Sequence, residues 1–102
     1  MIVVADSGST SIDWRIIEDA FHVRKAVSMG VNPVYQSVED MLQIFGEVLC
    51  GLSDKEGCLY FYGAGVVSDK AAEAVRTAIG SVLPGFEISV DSDLMAAAIA
   101  SL

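Results

Sequence analysis

The stretch Ile2-Val3-Val4-Ala5-Asp6-Ser7-Gly8-Ser9-Thr10-Ser11-Ile12-Asp13-Trp14 governs how the rest of the chain is read. Its apolar start, Ile2 to Ala5, meets Asp6 and then the small polar residues Ser7 to Thr10, the pattern of a buried strand ending in a tight loop. Ile12, Trp14 and Ile16 next alternate with Asp13 and Arg15, the period of a second strand. Glu18-Asp19-Ala20 can reverse the chain into a third strand from Phe21 to Val27, with Phe21, Val23, Lys25 and Val27 on one side. A three-stranded antiparallel meander is expected.

Further along, Met29 to Pro33 reads as loop, and Ser37 with Asp40 three residues on marks a helix start. Val38, Met41, Leu42, Phe45, Val48, Leu49 and Leu52 then repeat at three-four spacing, one apolar stripe of a helix that stops near Gly51. Cys58 to Tyr62 is a continuous apolar run broken by Gly63-Ala64-Gly65, so a fourth strand. Ser68 caps a second helix with stripe Ala71, Ala72, Val75, Ala78, Ile79, Val82 and Leu83, stopped by Pro84-Gly85. Phe86, Ile88 and Val90 alternate in a fifth strand that runs into Asp91-Ser92-Asp93, and a third helix is expected from Leu94.

This order predicts an α/β fold with a mixed five-stranded sheet: three antiparallel strands, then two more parallel to the first, flanked by helices. Ligands of such sheets bind outside the carboxyl ends of the parallel strands. Asp6, Gly63-Ala64-Gly65 and Asp91-Ser92-Asp93 therefore converge on one edge. Asp6 to Thr10 supplies an acid, a glycine where backbone can approach a ligand, and hydroxyls beside exposed N–H groups, the parts of a phosphate loop; a plain polar hairpin has the same residues.

At 102 residues the chain suits one domain. Its mean hydropathy of +0.52 and 53% hydrophobic content are high for that size, which fits a sheet buried on both faces or an apolar surface that meets a partner. The net charge of −8, with six basic residues, argues against nucleic acid but not against a nucleotide held through magnesium. Cys50 and Cys58, without paired CxxC spacing or a leader, read as reduced thiols, and the start has neither signal nor membrane anchor; a cytoplasmic protein is expected.

Residues 2–14, with the Asp-Ser-Gly-Ser-Thr and Asp-Trp pieces the specific part, resemble the first phosphate motif of the actin, hsp70 and hexokinase superfamily, especially its N-acetylglucosamine kinase-like branch. That branch also resembles the chain at Gly30-Val31-Asn32-Pro33, Tyr60-Phe61-Tyr62-Gly63-Ala64-Gly65 and Ser92-Asp93-Leu94-Met95-Ala96-Ala97-Ala98. The resemblance implies a ribonuclease H-like, actin-like ATPase domain over residues 1–102, the amino-terminal half of a two-domain ATP-dependent sugar kinase whose second half is absent. It implies that Asp6 holds Mg2+ through water, that Gly8, Ser9 and Thr10 contact ATP phosphates, that Asp93 is the catalytic base, and that Asn32, Gly63, Ala64 and Gly65 meet the sugar.

Each of these residues has a plainer role. Asn32 before Pro33 can simply start a turn, and any of Asp91, Ser92 and Asp93 can cap a helix; Asp91 is the alternative base. Relatives often carry a basic residue after the Thr, where this chain has Ser11, one phosphate contact fewer. His22 reads as a surface residue and Trp14 as core. The alternatives are an activator-type ATPase of the 2-hydroxyacyl-CoA dehydratase kind, disfavoured because neither cysteine is placed for an iron-sulfur cluster, and a non-catalytic binding or assembly module. The apolar run Leu94 to Leu102 suggests a homodimer through the carboxy-terminal helix region.

Overall fold

A computed structural model describes residues 1–8, 10–63, 65–66 and 68–92. Strands β1 (Ile2–Ser7), β2 (Ser11–Asp19) and β3 (His22–Met29) form the meander, followed by helix α1 (Val38–Leu49), a 3₁₀ turn at Cys50–Leu52, strand β4 (Gly57–Gly63), helix α2 (Asp69–Val82) and strand β5 (Phe86–Asp91). The sheet runs β3-β2-β1-β4-β5, with β4 parallel to β1 and β5 parallel to β4. This is the expected mixed sheet, three strands antiparallel and two added in parallel.

Alternation along the strands decides which face is covered, because neighbours in register point to the same side. Val3 and Ala5 of β1, Ile12, Trp14 and Ile16 of β2, and Leu59 and Phe61 of β4 share one face and one core with Met41, Phe45 and Leu49 of α1 and Val75, Ala78 and Ile79 of α2. Phe45 stands at its centre, edge-on to both Trp14 and Phe61 at 5.9 Å between ring centres. The Trp14 indole N–H donates to Ser28 Oγ at 2.9 Å, which satisfies the one polar atom of a side chain that is 1% exposed. Trp14 is core, as its spacing implied.

Both helices start where their caps require. Ser37 Oγ accepts the Asp40 N–H at 3.2 Å, and Ser68 Oγ accepts the Ala71 N–H at 3.1 Å. Each hydroxyl satisfies one of the unpaired N–H groups of a first helical turn.

Several boundaries differ from expectation: β3 runs on through Met29, which was expected as loop, β4 takes in Gly63, and α1 gives way to the 3₁₀ turn after Leu49 although its apolar stripe reaches Leu52. Strand β3 begins at His22 and not at Phe21, because the Asp19 carboxylate accepts the Phe21 N–H at 2.8 Å and contacts the His22 ring nitrogen at 2.8 Å, tightening the turn and leaving Phe21 at its tip, 91% exposed. The same two contacts, the Phe21 N–H first, hold the Asp19 carboxyl below its ordinary range. Strand β1 continues past Asp6 to Ser7, since Ser7 pairs with Ile12 on one side and Gly63 on the other. The third helix expected from Leu94 lies outside the described residues. Among those described, no helix is long and apolar enough to cross a membrane.

Candidate functional site

The carboxyl ends of β1, β4 and β5 come together in register. Ser7 pairs with Gly63, Asp6 with Tyr62, and Tyr62 with Asp91, so the three expected endings lie side by side on one edge. Close approach there depends on Gly63: a Cβ at that position would sit 3.2 Å from Ser7 Cβ and 3.1 Å from the Phe61 ring.

Three loops meet above this edge. The Gly8 N–H donates to the Ser11 carbonyl at 2.9 Å and closes the turn between β1 and β2. The Gly30 N–H donates to the Thr10 carbonyl at 3.0 Å, tying the exit of β3 to that turn. Gly65 lies against the next loop, where a Cβ would come within 3.2 Å of Pro33 Cδ and 3.7 Å of Asn32 Oδ1. The structure thus brings together Asp6, Gly8, Thr10, Asn32, Gly63 and Gly65; Ser9, Ala64 and Asp93 lie outside the described residues.

The individual groups are engaged to different degrees. The Gly8 amide is committed to its own turn, so phosphate contact from this loop would have to come from its other donors. Asn32 does form the turn that its place before Pro33 suggested: its Oδ1 accepts the Val34 N–H at 3.0 Å, its carbonyl accepts from Tyr35 and Gln36, and its N–H donates to Gln36 Oε1. The Asn32 amide NH2 remains the group with which it would meet a ligand. Gln36, not singled out from sequence, is the residue that fixes this loop.

Asp6 is exposed and projects from the face opposite the helices. Register sets a row on that face, Val27, Asp13, Asp6, Tyr62 and Asp91, one residue from each strand. Asp13 and Tyr62 had no assigned role, and only strand register could have placed them here. Tyr62 is 1% exposed; burial first, and then the Asp91 charge, push its phenol above the usual range, so it is neutral beside the carboxylates. Among the described residues no group of three His, Cys, Asp or Glu side chains is gathered closely enough to cage a metal. Asp6 with Asp13 directly opposite supplies hard oxygen donors of the kind Mg2+ accepts alongside its own waters, so the residues present fit a hydrated ion better than a stripped one.

A cleft of about 270 Å3 opens between the start of α2 and the end of β5, bounded by Val66, Ser68, Asp69, Ala72, Val90, Asp91 and Ser92. With Asp69 and Asp91 on its walls and Ser68 already capping α2, it suits hydroxyl groups or a cation and repels bare phosphate.

No protein-family model matches the chain, and no curated sequence does so at a significant level. Among solved structures, a protein from Porphyromonas gingivalis named as a candidate N-acetylglucosamine kinase matches with a TM-score of 0.73 and 33% sequence identity, over 91% of this chain and 34% of its own. The chain therefore spans about a third of the length of that protein.

Proposed function

From an N-acetylglucosamine kinase-like fold, which this chain has, we propose that it supplies the first phosphate loop and acceptor side of an ATP-dependent kinase that phosphorylates a hydroxyl of an amino sugar such as N-acetylglucosamine. The observation that carries the reading is the meeting of Gly8 and Thr10, of Gly30, Asn32 and Pro33, and of Gly63 and Gly65 at the joined ends of β1, β4 and β5. The kinase-named neighbour supports it at the level of reaction class.

In this reading Asp6 orients water-bound Mg2+, which when bound would draw charge from the ATP phosphates, and Gly8, Ser9 and Thr10 line the phosphate path. Asp93 accepts the proton of the attacking sugar hydroxyl, with Asp91 the alternative, while Asn32, Gly63, Ala64 and Gly65 position the sugar. Residues 1–102 act as one domain and contribute one half of the active site; the adenine side comes from a second domain. Phosphoryl transfer needs all of these held together, since positioning and electrostatic stabilisation supply nearly all of the catalysis.

A coupled assay with ATP, magnesium and N-acetylglucosamine tests the division of labour: the 102-residue chain alone is expected to turn over negligibly, and robust turnover would overturn it. Joined to the remainder of a kinase of this fold, the chain is expected to become active, and Asp93→Asn then to lower turnover about a hundred- to ten-thousand-fold with sugar affinity nearly kept. Loss on Asp91→Asn instead would move the base by two positions.

A further inference from the structure

We propose that the free edge of β3 is a docking site for an extended, acidic polypeptide segment that adds to the sheet as a sixth strand. Strand β3 is the terminal strand of the sheet, so among the described residues no strand lies beside the backbone groups of its outer edge, over eight residues. Beside this edge runs a groove of about 520 Å3 between β3 and α1, with Ala26, Ile16 and Val48 as its apolar lining and the opposite charges Arg24 and Glu47 also bordering it. The opposite face of the same strand presents Val23 and Val27, 50% and 69% exposed. A strand laid along β3 would pair its backbone, bury apolar side chains in the groove and lay its other side chains over the face of Val23, Lys25 and Val27.

Charge selects the occupant. Arg15, Arg24 and Lys25 are half of the six basic residues of a chain whose net charge is −8, and all three lie on β2 and β3. Arg15 and Lys25 stand directly opposite each other, an unfavourable like-charge pair, and among the described residues neither is in an ion pair. Strand β3 carries no acidic residue, so two copies meeting edge to edge through β3 would set cation against cation. The charges that forbid a second β3 attract a strand with carboxylates, and a strand that alternates acidic and apolar residues puts carboxylates over Lys25 and Arg15 and apolar side chains into the groove at Ala26. Basic residues serving only to block edge pairing would need no hollow beside them.

The test uses the isotopically labelled full chain and two peptides of β3's length: one alternating valine and glutamate, and one carrying the same number of glutamates with serine in place of valine. The valine-glutamate peptide is expected to bind saturably, to shift the amides of β3 and not those of β5, and to weaken as salt rises from about 0.05 to about 0.5 M. Arg15→Glu with Lys25→Glu is expected to weaken it about tenfold, the size set by two reversed surface charges. Because these side chains are exposed the variant should fold, and Arg24→Glu alone gives a second, milder variant with a smaller loss in the same direction. No saturable binding, equal binding of the serine-glutamate peptide, shifts that map away from β3, or unchanged affinity in both variants would each overturn the proposal.

Discussion

The two faces of the sheet follow different rules. On the helix-covered face the rows read Arg24-Ile16-Val3-Leu59-Ile88 and Ala26-Trp14-Ala5-Phe61-Val90, apolar nearly throughout and packed against α1 and α2. On the other face they read Lys25-Arg15-Val4-Tyr60-Ser89 and Val27-Asp13-Asp6-Tyr62-Asp91, cations beside apolar residues and then a line of carboxylates around a tyrosine. The helix-covered face therefore carries the hydrophobic core cluster, while the other carries most of the sheet's charged residues, with Tyr62 buried on it.

The strongest way to break that contrast is a pair of truncations. Phe45→Ala removes the ring between Trp14 and Phe61 and is expected to cost about 3–5 kcal/mol, a large share of the roughly 5–15 kcal/mol that holds a domain together. Val27→Ala, on the opposite face and 69% exposed, is expected to change stability by no more than about 0.5 kcal/mol. Urea unfolding of the two variants measures both, and similar losses would mean that the second face also carries packing.

A smaller effect sharpens the link between core and site. Gly63→Ala puts a methyl against Ser7 and the Phe61 ring, and the neighbours must give way, at an expected cost of about 1–3 kcal/mol. Because Gly63 is also the last residue of β4, the same substitution should displace the amide signals of Gly65 and Asn32, which a two-dimensional NMR spectrum reads directly. Smaller again is Ser68→Ala, which leaves the Ala71 N–H without its acceptor and is expected to cost about 1 kcal/mol by urea unfolding, with the sheet untouched.

Much of the covered face was legible in the sequence because burial leaves a period. The stripes of α1 and α2, both serine caps and the alternation of Ile12, Trp14 and Ile16 follow from single-element geometry. The loops were legible by composition: small polar residues and glycines at strand ends gave the convergence of Asp6, Gly63 and Asp91. The row Asp13-Asp6-Tyr62-Asp91 was not legible, since it is a property of register between strands distant in the chain, and a slip of one residue would have sent every one of them to the other face. The start of β3 was missed for a similar reason: an Asp19 side chain reaching two and three residues ahead overrode the apolar character of Phe21.

The finest test of the face opposite the helices is the titration of Tyr62. Burial and then the Asp91 carboxylate both disfavour its phenolate, so its folded-state value lies above the ordinary 10.0. The folded chain thus holds this proton to higher pH than the unfolded chain does. Stability from the neutral phenol is fully present below about 10 and is lost as pH rises from there through the raised value. Asp91→Asn removes the second cause and leaves the first. Tyrosinate absorbance near 295 nm should then show the most basic of the three tyrosines titrating at lower pH than in the parent chain, though still above the ordinary value, and the alkaline loss of stability should begin over a narrower window. If Asp91→Asn left that titration unmoved, Asp91 and Tyr62 would not share one electrostatic environment, and the row of carboxylates and tyrosine would be separate residues that happen to lie in register.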